Sequence, residues 1–400
     1  MIAGYSIVFW IAVCLFWLSA VIIFYSYLLY PAVISLLSSG RRIESEFYEP
    51  GDVNLPKVSL LIAVFNEEEV IEQKIKSIYK TSYPVGKMEV LIGSDNSTDR
   101  TNEILGSLKS KYPNLGFFPF NQRRGKGNVI NDLFERSTGD IAVLTDANVM
   151  LEAATIYELV KYFKDAEVGL VDTQMVNTNM HPNGISHQEK AYISREVKIK
   201  QHESVLWGTM MGPFGGCFAI RRELYSPVPK NFLVDDFFIN MRVLEQGYRC
   251  INNLNAIVYE DISNNLKDEF IRKIRISTGN FQNLRKFFHM LWFKTKGLSF
   301  CFISHKALRW IGPFFLILAY LSNIYLAFFS KSYFYVFVFH SLLLLLPLLD
   351  IFLKKNQIHI KLLRFITHFY SMNLALLIGF FKSLNKIESN VWKPTQRNQA

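Results

Sequence analysis

Residues 7–37 contain no charged side chain. Such a run belongs in hydrocarbon as a helix, since a bilayer core of ~30 Å is crossed by about 20 apolar residues. Residues 310–329 are also uncharged, and 333–353 hold only His340 and Asp350 among Asp, Glu, His, Lys and Arg, so both read as further crossings. The first run lacks a basic leader and a small-residue cleavage site and is too long for a signal peptide, which makes it a retained anchor. Arg41-Arg42 follow it directly. The preference of basic residues for the cytoplasmic side then places residues 41 to about 305 in the cytoplasm. His305-Lys-Ala-Leu-Arg-Trp310 reads as a basic, aromatic interfacial entry to the C-terminal crossings.

Two C-terminal crossings return the chain to Lys354-Lys355. A third, over 362–381, would carry the basic tail with Lys386, Lys393 and Arg397 to the far side, against the same preference. Either that run lies at the interface or the tail faces out; Arg364, His368, Asn373 and Gly379 interrupt the run and favour the interface. Apolar residues make up 50% of the chain, aromatic ones 15%, and the mean hydropathy is +0.15. A formal net charge of +10 suits lipid headgroups and a phosphate-bearing substrate. No zinc-finger or RNP-like motif supports a nucleic-acid partner, and none is expected. The four cysteines, Cys14, Cys217, Cys250 and Cys301, have no zinc or redox spacing and are expected to be buried thiols.

Between the apolar ends, residues 38–55 hold Gly40, Pro50 and Gly51, with Pro56 just beyond, and read as a linker. Val58-Ser-Leu-Leu-Ile-Ala-Val-Phe65 is a buried strand, and Asn66-Glu-Glu-Glu69 reads as a helix start with Asn66 as cap. Ile71, Ile75 and Ile78 continue at helical spacing. The cycle repeats with strand 89–93, the polar turn 94–99 and a helix through Ile104, Leu105 and Leu108. Strand, loop and helix in alternation predict a parallel sheet. An EF-hand at Asp95, Ser97 and Asp99 is excluded because Arg100 and Gly106 stand where a calcium loop needs glycine and glutamate.

The run Ile141-Ala-Val-Leu-Thr-Asp-Ala-Asn148 is an apolar strand whose first strongly polar residue, Asp146, emerges at its carboxyl end, where open α/β sheets bind ligands. Asp146 and Asn148 project to one side of an extended backbone and suit Mg²⁺ or Mn²⁺ shared with a substrate's phosphates; a strand ending in a polar turn is the plain alternative. Gln122-Arg-Arg-Gly-Lys-Gly-Asn128 opens a further helix with exposed amides and Lys126, suited to phosphate or simply solvated. Residues 184–202 form a polar helical stretch, and Met211-Gly-Pro-Phe-Gly-Gly-Cys-Phe-Ala-Ile220 a glycine-rich turn that either admits a bulky ligand or bends between core elements. Val234-Asp235-Asp236 precedes the helix positions Phe237, Ile239, Val243 and Leu244; its acids are dipole partners or, at a phosphate site, a general base. Residues 266–291 are basic and amphipathic, and their cations fit either a membrane surface or a substrate diphosphate.

Taken together, Ile62-Ala-Val-Phe-Asn-Glu-Glu68, Gly93-Ser-Asp-Asn-Ser-Thr-Asp-Arg-Thr101, Gly125-Lys-Gly-Asn128, Asp146-Ala-Asn148 and Val234-Asp-Asp236 resemble family 2 glycosyltransferases of the GT-A fold. The similar branch is membrane-integrated and includes cellulose, hyaluronan and poly-N-acetylglucosamine synthases. The resemblance implies an α/β, Rossmann-like cytoplasmic domain with a mostly parallel sheet, flanked by transmembrane helices. Its boundaries are expected as an N-terminal transmembrane helix at 1–40, a linker at 41–56, the GT-A domain at 57–265, amphipathic interface helices at 266–305, a C-terminal transmembrane region at 306–384 and a basic tail at 385–400. It also implies that Ala63, Phe65, Glu67 and Asp95 hold the base and ribose of a nucleotide-sugar, expected to be a UDP-sugar, that Lys126 supports the nucleotide, and that Asp146 and Asn148 hold the metal and diphosphate. The resemblance further implies that Asp235 belongs to the substrate site, that Asp236 is the base that activates the acceptor hydroxyl, and that Arg275 meets the diphosphate. The implied reaction is an inverting displacement that builds a cell-envelope or secreted glycan.

Two positions depart from the family's pattern. Asn148 stands where the metal motif usually ends in aspartate, and Ile276 where processive synthases carry the tryptophan that stacks on the acceptor. The nearest rival reaction therefore adds one sugar to a polyprenyl-phosphate or other lipid. Rivals of other classes are a catalytically inactive membrane scaffold, opposed by the retained carboxylates Asp146, Asp235 and Asp236, and a transporter, opposed by the scarcity of ionisable residues in the apolar runs.

Overall fold

A computed structural model of the chain describes residues 6–178, 186–261, 266–292, 297–356, 358, 360–385 and 387. The apolar run after the linker forms strand β1 (Val58–Val64), buried at every position. A strand buried on both faces sits inside a sheet with cover above and below. Among the described residues the sheet has eight strands: β1, β2 (Met88–Ser94), β3 (Leu115–Pro119), β4 (Ile141–Thr145), β5 (Met150–Leu151), β6 (Val168–Thr178), β7 (Cys217–Arg221) and β8 (Arg249–Asp261). Their order is β3-β2-β1-β4-β7-β6-β8-β5. β3, β2, β1 and β4 run parallel, as do β6 and β8, whereas β7 is antiparallel to both neighbours and β5 is antiparallel to β8. The sheet is thus mixed but mostly parallel.

The order places the site. After β1 the chain moves outward to β2 and β3, then returns to lay β4 on the other side of β1. The carboxyl ends of β1 and β4 therefore flank a topological switch point, where crevices open in α/β sheets. Antiparallel β7 pairs Cys217 with Thr145, which carries the glycines preceding Cys217 to the same edge.

The helix after β1 starts later than its sequence suggests, at Ile71, with Glu72 as the acid of its first turn. Asn66 is not its cap. It adopts a positive φ of 52°, and its Oδ1 accepts from Thr98 N at 2.8 Å in the neighbouring loop. The acids 67–69 lie in the loop because Asn66's side chain holds two βα loops together instead of a helix end.

The chain divides into two compact units. One contains the chain up to Val33, Glu269–Phe281 and Phe302–Asn385; the other contains Ile34–Asp268 and Gln282–Cys301 and holds the sheet. Three helices, Ile7–Leu37, Lys331–Lys355 and Lys361–Leu384, are long and apolar enough to cross a membrane, and a fourth candidate is the pair Leu298–Trp310 and Gly312–Ala327, bent by 59°. The break in that pair comes at Ile311, with Pro313 in the first turn of the second helix. In Lys361–Leu384 the groups that interrupt the run are turned inward: Asn373 is buried and Arg364 lies beside Asp350, Nε to Oδ1 4.0 Å. Cys217, Cys250 and Cys301 are buried free thiols, but Cys14 is exposed, because the helix that carries it keeps an outward apolar face. Gly184 and the basic tail with Lys386, Lys393 and Arg397 lie outside the described residues.

Candidate active site

The loops after β1 and β2 are joined by reciprocal bonds. Asn66 N donates to Ser97 Oγ at 3.1 Å, Glu67 N to Thr101 Oγ1 at 2.9 Å and Arg100 N to Glu68 Oε2 at 2.9 Å. Ala63 is buried in β1 opposite Gly93. Gly93 carries no side chain for a packing reason, since a Cβ there would collide with Val129 of the helix Lys126–Arg136.

Asp95 is fully buried. Its carboxylate accepts from Arg123 Nε at 3.1 Å, Arg124 N at 2.6 Å and Gly125 N at 3.0 Å. A buried carboxylate needs such donors, and here they fix the basic loop. Arg123 in turn lies over Phe65, its guanidinium carbon 3.3 Å from the ring centroid, a cation–π contact. The group at the rim of this corner is therefore Arg123, whose side chain is 22% exposed, and the sequence motifs did not single it out.

Gly125, at φ 84°, ends the basic loop and starts the helix at Lys126. Lys126 Nζ meets Asp146 Oδ1 at 2.6 Å. Burial works against the lysine's charge, yet Asp146, Asp235 and Asp236 together raise its pKa above the ordinary value. Asp236 is pushed up to about 7, first by burial and then by Asp235, against the opposing pull of Lys126 and the Phe237 amide. These four side chains form one electrostatic cluster, gathered from the helix after the basic loop, the end of β4 and the helix Asp235–Glu245.

Two features hold the carboxylates. Gly215, at φ +81°, lets backbone approach so closely that a Cβ would collide with Asp236 Oδ2. The glycine-rich turn thus receives the side chain of Asp236. Its anchors are Glu203 Oε2, which accepts from Met211 N at 3.0 Å, and Lys200, which pairs with buried Asp172 and lies 3.7 Å from the Phe214 ring centroid. The segment before Asp235 is held by Gln282, which donates to Asn231 O at 2.9 Å and accepts from Leu233 N at 3.1 Å.

Beneath Asp146 lies Lys74, a fully buried lysine. Its ammonium donates to Thr145 Oγ1 at 2.8 Å and to Val149 O, gripping both ends of the Asp146–Asn148 turn. Burial lowers its pKa to about 8, with Cys217 and Asp146 opposing. Asn148 is buried and donates from Nδ2 to Glu260 Oε1 at 3.0 Å. Arg275 sits on the helix Leu266–Lys286, within the unit that holds the apolar helices.

A sequence model described as "Glycosyl transferase family 2" matches residues 59–228, the segment that carries nearly all of β1, β2 to β7, the basic loop, Asp146 and the glycine-rich turn, and that ends before Asp235. The chain carries a family 2 glycosyltransferase domain. It is 28% identical over 247 residues to the probable glycosyltransferase YdaM of Bacillus subtilis (strain 168), covering 58% of this chain and 57% of that protein. It is 30% identical over 175 residues to the beta-monoglucosyldiacylglycerol synthase of Nostoc sp. (strain PCC 7120 / SAG 25.82 / UTEX 2576), covering 43% of this chain and 37% of that one. The chain thus spans about half the length of these relatives, or less. In fold, it resembles the mannosyltransferase PcManGT from Pyrobaculum calidifontis, solved in complex with GDP-Man and Mn²⁺, with a TM-score of 0.71, 22% identity, and coverage of 94% of this chain and 99% of that one.

The structure brings Phe65, Asp95, Lys126 and Asp146, which lie in the matched segment, and Asp235 and Asp236, which follow it, into linked contacts or a shared field. Lys74, Arg123, Gln282 and Glu260 are the additions. Two of them left a trace in the sequence: Arg123 lies in the basic loop 122–128, and Lys74 falls among Ile71, Ile75 and Ile78 on the apolar face of its helix, a placement that demands buried partners.

Proposed function

We propose that the chain transfers a sugar from a nucleotide-sugar, expected to be a UDP-sugar, to an acceptor hydroxyl with inversion, beside a membrane and on its cytoplasmic side. The observation that carries this reading is the Lys126–Asp146–Asp235–Asp236 cluster, with a carboxylate poised near neutral pH beside a cation at a switch point. Asp236 takes the proton of the attacking hydroxyl. Lys126 faces the departing diphosphate. Phe65, Glu67 and Asp95, with Ala63 below, frame the corner for base and ribose.

Among the described residues, no three His, Cys, Asp or Glu side chains are grouped as a metal cage. Asp146 and Asn148 supply two oxygen donors, which fits a hard cation that completes its shell with diphosphate oxygens and water. Such a Mg²⁺ or Mn²⁺ neutralises charge on the leaving group when bound. A glycan acceptor is the first reading, supported by the resemblance of the motif set to that of polysaccharide synthases. A lipid acceptor with a single addition is the second reading, favoured by Ile276 in place of tryptophan and by the similarity to a beta-monoglucosyldiacylglycerol synthase.

The test is a panel of UDP- and GDP-sugars offered to the full chain in lipid nanodiscs, with nucleoside diphosphate release measured with and without Mn²⁺. Release from one sugar class, at least tenfold faster with the metal, is expected. Release indifferent to metal, or from no nucleotide-sugar, would overturn the reading. Organic extraction of radiolabelled product then separates a lipid-linked single sugar from a size ladder of glycan.

A further inference from the structure

Asn148 stands where the family that the sequence resembles usually has aspartate, and the structure supplies a local reason for the amide. Strand β5 runs antiparallel to β8, pairing Met150 with Tyr259. One step beyond that pair, the register sets Glu260 against the turn that holds Asn148, and the two side chains bond, Nδ2 to Oε1, at 3.0 Å. A carboxylate only accepts hydrogen bonds, so Asn148 must present its nitrogen to Glu260. Its Oδ1, on the other arm of the same planar group, is thereby directed elsewhere. An aspartate at 148 would have no proton to donate and would set two anions against each other in a buried corner, with Asn148 only 7% exposed.

We propose that Glu260 is the positioning residue of the cation site. It holds the Asn148 amide so that its oxygen serves the cation, and it restores next to that ligand the negative charge that the amide lacks. The amide at 148 and the carboxylate at 260 are then one device split between a turn and strand β8. This rests on Asp146 and Asn148 being the cation's protein ligands. Ligand-orienting partners of this kind change metal affinity by about 10- to 100-fold when removed.

The test uses the full chain in nanodiscs, with Mn²⁺ binding followed by electron paramagnetic resonance, alone and with UDP or GDP. Wild-type protein is expected to bind Mn²⁺ more tightly with nucleotide, and Asp146→Asn to abolish that binding. Glu260→Ala is expected to weaken it about tenfold or more, and Glu260→Gln by less, because the glutamine oxygen still accepts from Asn148. Without metal, Asn148→Asp is expected to lower the melting temperature, and Asn148→Asp with Glu260→Gln to recover most of the loss through a reversed hydrogen bond. If Glu260→Ala binds Mn²⁺ within twofold of wild type while Asp146→Asn does not bind, the positioning role is wrong and the metal site stands. If the double variant melts no higher than Asn148→Asp, the pairing is wrong whatever the metal does. If wild type binds no Mn²⁺ with either nucleotide, the metal reading and the role of Glu260 fall together.

Discussion

Asp236→Asn is expected to lower kcat by about 10³-fold while leaving nucleotide binding within a few-fold of wild type, the signature of a lost general base. Asparagine keeps the shape that fits against Gly215 and can still accept from the Phe237 amide, which the native Oδ1 does at 2.7 Å. What it loses is proton affinity. In the wild-type enzyme kcat/KM should rise with pH through about 7, the value to which burial and Asp235 push this carboxyl. That limb belongs to the coupled acids rather than to one atom, and it should vanish from the residual activity of the variant. Stability runs the other way. A carboxyl raised from 3.8 to about 7 binds its proton more tightly in the folded state. Its stabilising contribution is full below the ordinary value and is lost as pH rises through about 7. If Asp236 is the base, as proposed, it is ready for catalysis in the range where it no longer supports the fold.

Asp146→Asn is expected to lower kcat/KM by about 10³-fold, because the stabilisation of a diphosphate leaving group by a bound cation amounts to several kcal/mol. The variant also takes from Lys126 the carboxylate that meets its ammonium at 2.6 Å, leaving Asp235 and Asp236 as the lysine's anionic neighbours. Steady-state rates across a Mn²⁺ titration are the check. Full activity recovered at high Mn²⁺ would mean that Asp146 sets affinity alone, and activity unchanged at every concentration would remove it from the site.

The strands that carry the motifs were legible because β1 and β4 are apolar runs that end abruptly in polar residues, and the helices between them keep a clear period. Alternation of strand and helix was enough to predict the parallel part of the sheet and the edge at which Asp95 and Asp146 emerge. β8 was not legible. Its 13 residues are broken by Asn252, Asn253 and Asn255, so no apolar run announces it, although Asn252 and Asn253 are buried and bonded to neighbouring elements. Glu260, carried on that strand, was hidden with it. Lys74 and Gln282 were missed for another reason. Their roles depend on long-range bonds, from Lys74 to Thr145 and from Gln282 to Asn231, and periodicity reports which face is buried but not what a polar group on that face will meet. The placement of Asn66 erred because its local signal, a cap before three acids, competes with a partner 32 residues away.

The most direct measurement is a structure of the full chain in lipid with a nucleoside diphosphate and Mn²⁺. The cation is expected between the diphosphate and the oxygens of Asp146 and Asn148, with the base beside Phe65 and Arg123 and with Asp236 facing the space where an acceptor hydroxyl would attack. A nucleotide bound on another surface, with the Lys126–Asp146 pair unchanged and no cation on Asn148, would contradict the account.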